Sequence, residues 1–205
     1  PGVRIGLPEN FYFERISPPV ADAVRRAARL AEDAGAVIVS LRIPDIAQLN
    51  TIGRVILLSE ASATMERYLH RREDFGPDVL ALFDQGRLLP ATDYINAQRV
   101  RRLHQQEFQT VWKQVDCLLT PTTPTTAPKI GQSTIDLEGE EDVRIASTRL
   151  ARGLNVLGLP ALSLPCGFDE VGLPIGLQII GPGFTEPLIL NVGAVLEDAL
   201  NLTHR

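Results

Sequence analysis

DCLLTPTTPTTAPKIG (Asp116–Gly131) and, after a charged insert, NVLGLPALSLPCGFDEVGLPIGLQIIG (Asn155–Gly181) decide how this chain folds. Val115–Leu119 is a short apolar run whose composition predicts a buried strand. The Thr/Pro run behind it is expected to be a loop, because proline lacks the amide donor that a central ladder needs. In the second segment Ala161–Phe168 alternates. Leu162, Leu164, Cys166 and Phe168 fall on one face, and Ala161, Ser163, Pro165 and Gly167 on the other. The small-residue face predicts close approach of another backbone or a ligand. Pro174–Gly181 is expected to pair back on it across a turn at Asp169–Leu173.

Working outward, the amino-terminal part reads as a βαβ unit. Val3–Leu7 is a strand, Ser17-Pro18-Pro19 starts a helix that the serine is expected to cap, and Gly35 ends it. Ala36–Ile43 is a second strand, and two strands joined by one helix favour a parallel pair. Helices are expected over Ile46–Leu69, between Gly76-Pro77 and Gly86, from a Thr92 cap to about Gln114, over Arg144–Leu157 and over Glu186–Leu200. Gln132–Asp142 is polar and acidic and is expected to be a surface loop. The fold class is therefore α/β, a mixed sheet flanked by helices in a single domain over residues 1–205.

The 205 residues are ordinary for a globular chain, with 44% hydrophobic and 22% charged residues. A net charge of −5 argues against nucleic acid or an anionic membrane as a direct partner. No signal peptide or apolar run of transmembrane length is visible, and a cytoplasmic location is expected. Cys117 and Cys166 are far apart without metal-ligand spacing and are expected to be buried thiols. The first residue is Pro1, which predicts a fragment, a processed product or a trimmed chain.

Reactive chemistry is sparse. No Gly-x-Ser-x-Gly elbow, Gly-rich phosphate loop, Gly-Gly or Ser-Ser pair occurs, and the only lysines are Lys113 and Lys129. Ser163 lies within a predicted strand rather than on an exposed turn, which speaks against a nucleophile. Cys166 has no nearby histidine in sequence, and His70, His104 and His204 form no metal-binding pair and read as solvated helix positions. No catalytic residue, no metal site and no cofactor is expected from this chain. Thr122 and Thr123 carry hydroxyls on a proline-stiffened loop at a strand end, where α/β sheets gather ligands, and are candidate pocket-wall residues.

The motifs together resemble the amidase signature family, enzymes that hydrolyse carboxylic amides. The resemblance runs through Val3-Arg4-Ile5-Gly6-Leu7-Pro8, Ser59-Glu60-Ala61-Ser62, Arg67-Tyr68, Tyr94-x-x-Ala97-x-x-x-Arg101, the Thr/Pro loop, Asn155-x-x-Gly158-x-Pro160-Ala161 and Gly172-Leu173-Pro174-x-Gly176-x-Gln178. It covers nearly the full chain and is similar to the carboxyl-terminal part of the family's fold. The resemblance implies a serine nucleophile, a second serine and a lysine in a Gly/Ser-rich loop, none of which is here. It implies a parent that hydrolyses a small amide without cofactor, a missing amino-terminal half as partner, and inactivity of this chain alone. The uncovered cut face makes a homodimer possible.

Within the family, the A subunit of the glutamyl/aspartyl-tRNA amidotransferases is an alternative parent. In that branch the positions of Tyr68 and Arg101 help hold the amide substrate, and an arginine fork suits a carboxylate. That branch also has an aspartate where Thr148 aligns here, which favours a general amidase. Gln178 is equally open to a ligand or to the neighbouring half. A non-catalytic binding or assembly module on the same scaffold is the third reading.

Overall fold

A computed structural model describes residues 2–202. The elements run β1 (Arg4–Pro8), α1 (Pro18–Asp33), β2 (Val37–Leu41), α2 (Ala47–Met65), α3 (Pro77–Arg87), α4 (Ala91–Trp112) and β3 (Cys117–Pro121). They continue with β4 (Thr134–Asp136), β5 (Glu140–Asp142), α5 (Val143–Leu157), β6 (Ala161–Phe168), β7 (Pro174–Ile180) and α6 (Glu186–Leu200). Two 3-10 turns, Glu66–Tyr68 and Arg72–Asp74, link α2 to α3. Five strands form one sheet in the order β2-β1-β3-β7-β6. β1 is parallel to β2 and β3, while β7 is antiparallel to β3 and β6, so the sheet is mixed as expected.

Helices cover both faces of the sheet. On one, Val24 and Ala27 of α1 and Leu196 of α6 pack on Ile5, Cys117, Leu177 and Ile179. On the other, Ile56 of α2, Phe108 of α4 and Leu154 of α5 pack on Leu118 and Ile180. The helical spacing of Val20, Val24, Ala27, Ala28 and Ala31 is what buries that stripe of α1. Gly35, with φ +94°, then turns the chain into β2.

Several local expectations are corrected. Ser17 precedes α1, but its side chain makes no capping bond. Proline at the next two positions removes the first donors, and the Ser17 carbonyl serves Val20 and Ala21 instead. Thr92 likewise does not cap α4, since the Pro90 carbonyl accepts from Asp93 and Tyr94 at the start of the helix. The Thr/Pro run is not wholly loop, because Thr120 and Pro121 finish the central strand β3 opposite Gln178 and Leu177. Thr122 N–H donates to the Gly176 carbonyl, so the alternating donors on that side are Thr120 and Leu118. The missing donor of Pro121 therefore faces β1, whose pairing with β3 has already ended at Leu118.

Gln132–Asp142 is not simply loop either, because β4 and β5 form a hairpin inside it. Ile135 and Leu137 bury against Ala146 of α5, and Glu138 and Gly139 take the positive-φ turn positions. Asp142 then caps α5, accepting from the Arg144 and Ile145 N–H groups at 2.8 and 3.3 Å. In β6 the register slips between Pro165 and Gly167, which makes Cys166 the extra residue of a bulge. Phe168 consequently leaves the face of Leu162 and Leu164 and lies exposed.

Two polar contacts bear directly on stability. Gln178 is 3% exposed. Its Nε2 donates to the Pro121 carbonyl at 3.0 Å and the Leu150 carbonyl at 3.2 Å, joining the end of β3 to α5. Gln178→Ala leaves both acceptors buried and is expected to cost about 1–3 kcal/mol, read as a lower urea midpoint. Asp116 accepts from Arg4 Nη2 at 2.7 Å and from the Arg4 N–H at 2.8 Å. The Arg4 side-chain bond holds its carboxyl below the ordinary value of 3.8. A depressed folded pKa means that the contribution is complete above the unfolded value and disappears as pH falls from about 3.8 through the folded value. Asp116→Asn should flatten that part of the acid-unfolding curve, and an unchanged curve would refute the assignment.

Candidate functional site

The ends of β3, β7 and β6 come together as a small polar floor. Thr122 Oγ1 lies 2.9 Å from Ser163 Oγ, and Ser163 Oγ also donates to the Leu177 carbonyl at 3.3 Å. Gly176 sits opposite, where an added Cβ would lie 3.2 Å from Thr122 Cβ and Oγ1. Glycine at that position lets the threonine lie across the sheet. Thr123 is next in the chain but turns into its own loop, with Oγ1 donating to the Thr125 carbonyl at 2.7 Å. Thr126 Oγ1 donates to Asp169 Oδ2 at 2.7 Å and ties the loop to the β6–β7 turn. That bond, with the N–H groups of Leu173, Val171 and Gly172, keeps the Asp169 carboxyl below its ordinary range.

A second concavity of about 240 Å³ lies between α2, α4 and α5, where Leu57, Glu60, Arg101, Arg152 and Asn155 meet. Arg101 is half-buried, and its Nε donates to the Val156 carbonyl at 2.5 Å and its Nη1 to Gln98 Oε1 at 3.3 Å. Gln105 Nε2 adds a bond to the Leu157 carbonyl at 2.9 Å. Two side chains of α4 thus satisfy the final carbonyls of α5, just where Gly158 takes φ +74°. Glu60 accepts from Tyr94 Oη at 2.9 Å and from Gln98 Nε2 at 3.4 Å. Tyr68 stands 40% exposed on the first 3-10 turn, with the Arg67 guanidinium 4.7 Å from its ring centre.

The structure therefore pairs Thr122 with Ser163, turns Thr123 aside, and puts Arg101 in a groove where Tyr68 does not reach. Sequence reading missed the partnership of Thr122 with Ser163, although the small face of Ala161–Phe168 was its signal. It also left Glu60 and Asn155 out of the candidate set, though both lie within the motifs.

Ser163 has hydrogen-bond partners that are not bases able to take its proton. Cys117 and Cys166 are buried, which pushes their thiols up to about 12 and about 11. His104 is not solvated: it is buried, with Nε2 2.9 Å from Gln48 Oε1 and Nδ1 3.0 Å from Glu107 Oε2. His70 is exposed, and His204 lies outside the described residues. Thr148 Oγ1 donates to the Arg144 carbonyl at 2.9 Å, within its own helix. Among the described residues no group of His, Cys, Asp or Glu is arranged to hold a metal ion, and no helix is long and apolar enough to cross a membrane.

The mixed sheet between two helical layers is a fold that this chain shares with solved structures of amidases. The family model described as Amidase matches residues 1–190, and the chain belongs to that family. It is 35% identical over 226 residues to the A subunit of the glutamyl-tRNA(Gln) amidotransferase of Halothermothrix orenii, covering 98% of this chain and 46% of that protein. It is 36% identical over 201 residues to an amidase of Pseudomonas putida, covering 97% and 43%. A crystal structure of an amidase superposes with a TM-score of 0.88 at 28% identity, covering 96% of this chain and 45% of the other. The chain thus spans less than half the length of these relatives.

Proposed function

We propose that this chain is the carboxyl-terminal portion of an amidase, one domain's part of an enzyme that hydrolyses a carboxylic amide to an acid and ammonia or amine. The family match over residues 1–190 carries the reading. The nucleophile in this reading is a serine, held with a second serine and a lysine in sequence outside this chain. The floor of Thr122 and Ser163 supplies part of the wall of the cleft, with Thr123 beside it. Tyr68 and Arg101 are proposed as further amide-holding residues from the helical side. Arg101 has Nη2 for that task, since its Nε and Nη1 are engaged by Val156 and Gln98. A cytoplasmic location and a possible homodimer belong to the same reading.

A second reading is the A subunit of a tRNA-dependent amidotransferase, supported by the 35% identity to its counterpart in Halothermothrix orenii. Thr148, a helix-bound hydroxyl, stands where that branch carries a carboxylate, and this favours the general amidase. A purified sample of the chain is expected to release no ammonia from a panel of aliphatic, aromatic and amino-acid amides. Turnover that disappears in Ser163→Ala would place the chemistry in this chain and overturn the reading.

A further inference from the structure

Arg152 lines the same concavity of about 240 Å³ as Arg101, between α2, α4 and α5, and both arginines are half-buried. Gly53 of α2 sets the approach of α5. A Cβ there would lie 2.7 Å from Val156 Cγ2 and 3.7 Å from Arg152 Cγ, so glycine lets the arginine stem run across α2. A guanidinium offers five N–H donors. Thr148 Oγ1 takes one from Arg152 Nη2, and the Val156 carbonyl and Gln98 Oε1 take two from Arg101. Among the described residues, neither arginine forms an ion pair with a carboxylate.

Two like charges gathered in a groove without a counter-ion make a place for an anion. Glu60 is the one acid among the lining residues, so the two guanidiniums leave a surplus of one positive charge. Glu60 Oε1 accepts from Tyr94 Oη and Gln98 Nε2, and its other oxygen is left for an N–H from a ligand. Ile56, Leu57 and Val156 supply an apolar wall, which a bare inorganic anion would leave uncovered. The volume falls below the range of roughly 300–1,000 Å³ usual for drug-sized ligands, so the occupant is small. We propose that this groove selects small amides that carry a carboxylate, and that Arg152 is the residue that sets the selectivity; the proposal rests on the functional reading above. The ligand's carboxylate lies between Arg152 and Arg101, its carbon chain lies on Ile56 and Leu57, and its N–H donates to Glu60.

The test titrates the chain calorimetrically with succinamate, which carries an amide and a carboxylate, and with butyramide, which carries the amide alone. Succinamate should bind tighter by about tenfold or more, the worth of one hydrogen bond to a charged group. Arg152→Gln should remove that difference by weakening succinamate alone, and Arg152→Lys should restore part of it. Arg54→Gln, elsewhere on α2, should leave both affinities unchanged. In the unaltered chain the side-chain N–H resonance of Arg152 should move with succinamate and not with inorganic phosphate, which keeps the test independent of how the variants fold. No binding of succinamate, equal binding of the two amides, a loss in Arg152→Gln that falls on both, or phosphate matching succinamate overturns the selectivity. Ammonia released from succinamate by the chain itself would overturn the functional reading and leave the groove standing; equal binding of the two amides without ammonia would do the reverse.

Discussion

Phe108→Ala is expected to lower the unfolding free energy by about 3–5 kcal/mol, the cost of emptying a large aromatic site in a packed interior. Phe108 is 1% exposed and belongs to the core between α4, α5 and the sheet. Its ring centre lies 5.7 Å from that of Trp112, at a tilt of 56°. The hole would open under Leu118 and Ile180, the residues that hold β3 and β7 against the helices. A net stability of roughly 5–15 kcal/mol is usual for a domain, so the variant should unfold at a much lower urea concentration or fail to accumulate. A shift no larger than that of an exposed control such as Leu103→Ala would mean that this helical layer is not packed as described.

Gly86→Ala is expected to destabilise, although alanine is favoured over glycine in a helix by about 1 kcal/mol. Gly86 lies in α3 where it presses on α2, and an added Cβ would sit 2.0 Å from the Leu58 carbonyl oxygen. Backbone does not yield as a side chain does, so α3 must move outward. The move would break the bond from Ser62 Oγ to the Phe83 carbonyl, 2.5 Å long, and uncover Phe83. Overpacking of this kind costs roughly 1–3 kcal/mol, and here the upper end is expected because a second contact is lost with it. Thermal unfolding of the purified variant measures this; an unchanged or raised midpoint would show that the close approach is absent in solution.

The large features were legible because they rest on periodicity. The stripe from Val20 to Ala31 places α1, and the βαβ order gives the parallel pair. Punctuation was harder. Ser17 has the residue type of a cap, but Pro18 and Pro19 carry no donor and the Val20 N–H goes to the Ser17 carbonyl instead. The acidic run over residues 132–142 concealed a hairpin because only Ile135 and Leu137 mark its buried side, against many charges. The bulge at Cys166 breaks no composition rule, so strict alternation put Phe168 on the wrong face. At the site, the motifs pointed to Thr122, but its meeting with Ser163 depends on the register of β3, β7 and β6. Register is set by long-range pairing that a single sequence does not display. Arg101 was legible as a group suited to a carboxylate; that it also closes the end of α5 required the packing of two helices.

The bond between Thr126 and Asp169 has a mechanical consequence. It couples two excursions of the chain that are 43 residues apart, so the Thr/Pro segment and the hairpin tip are fastened at a single rivet. The spacing between the Thr/Pro segment and the exposed tip around Val171 is thus held by one pair of side chains rather than by a ladder of backbone bonds.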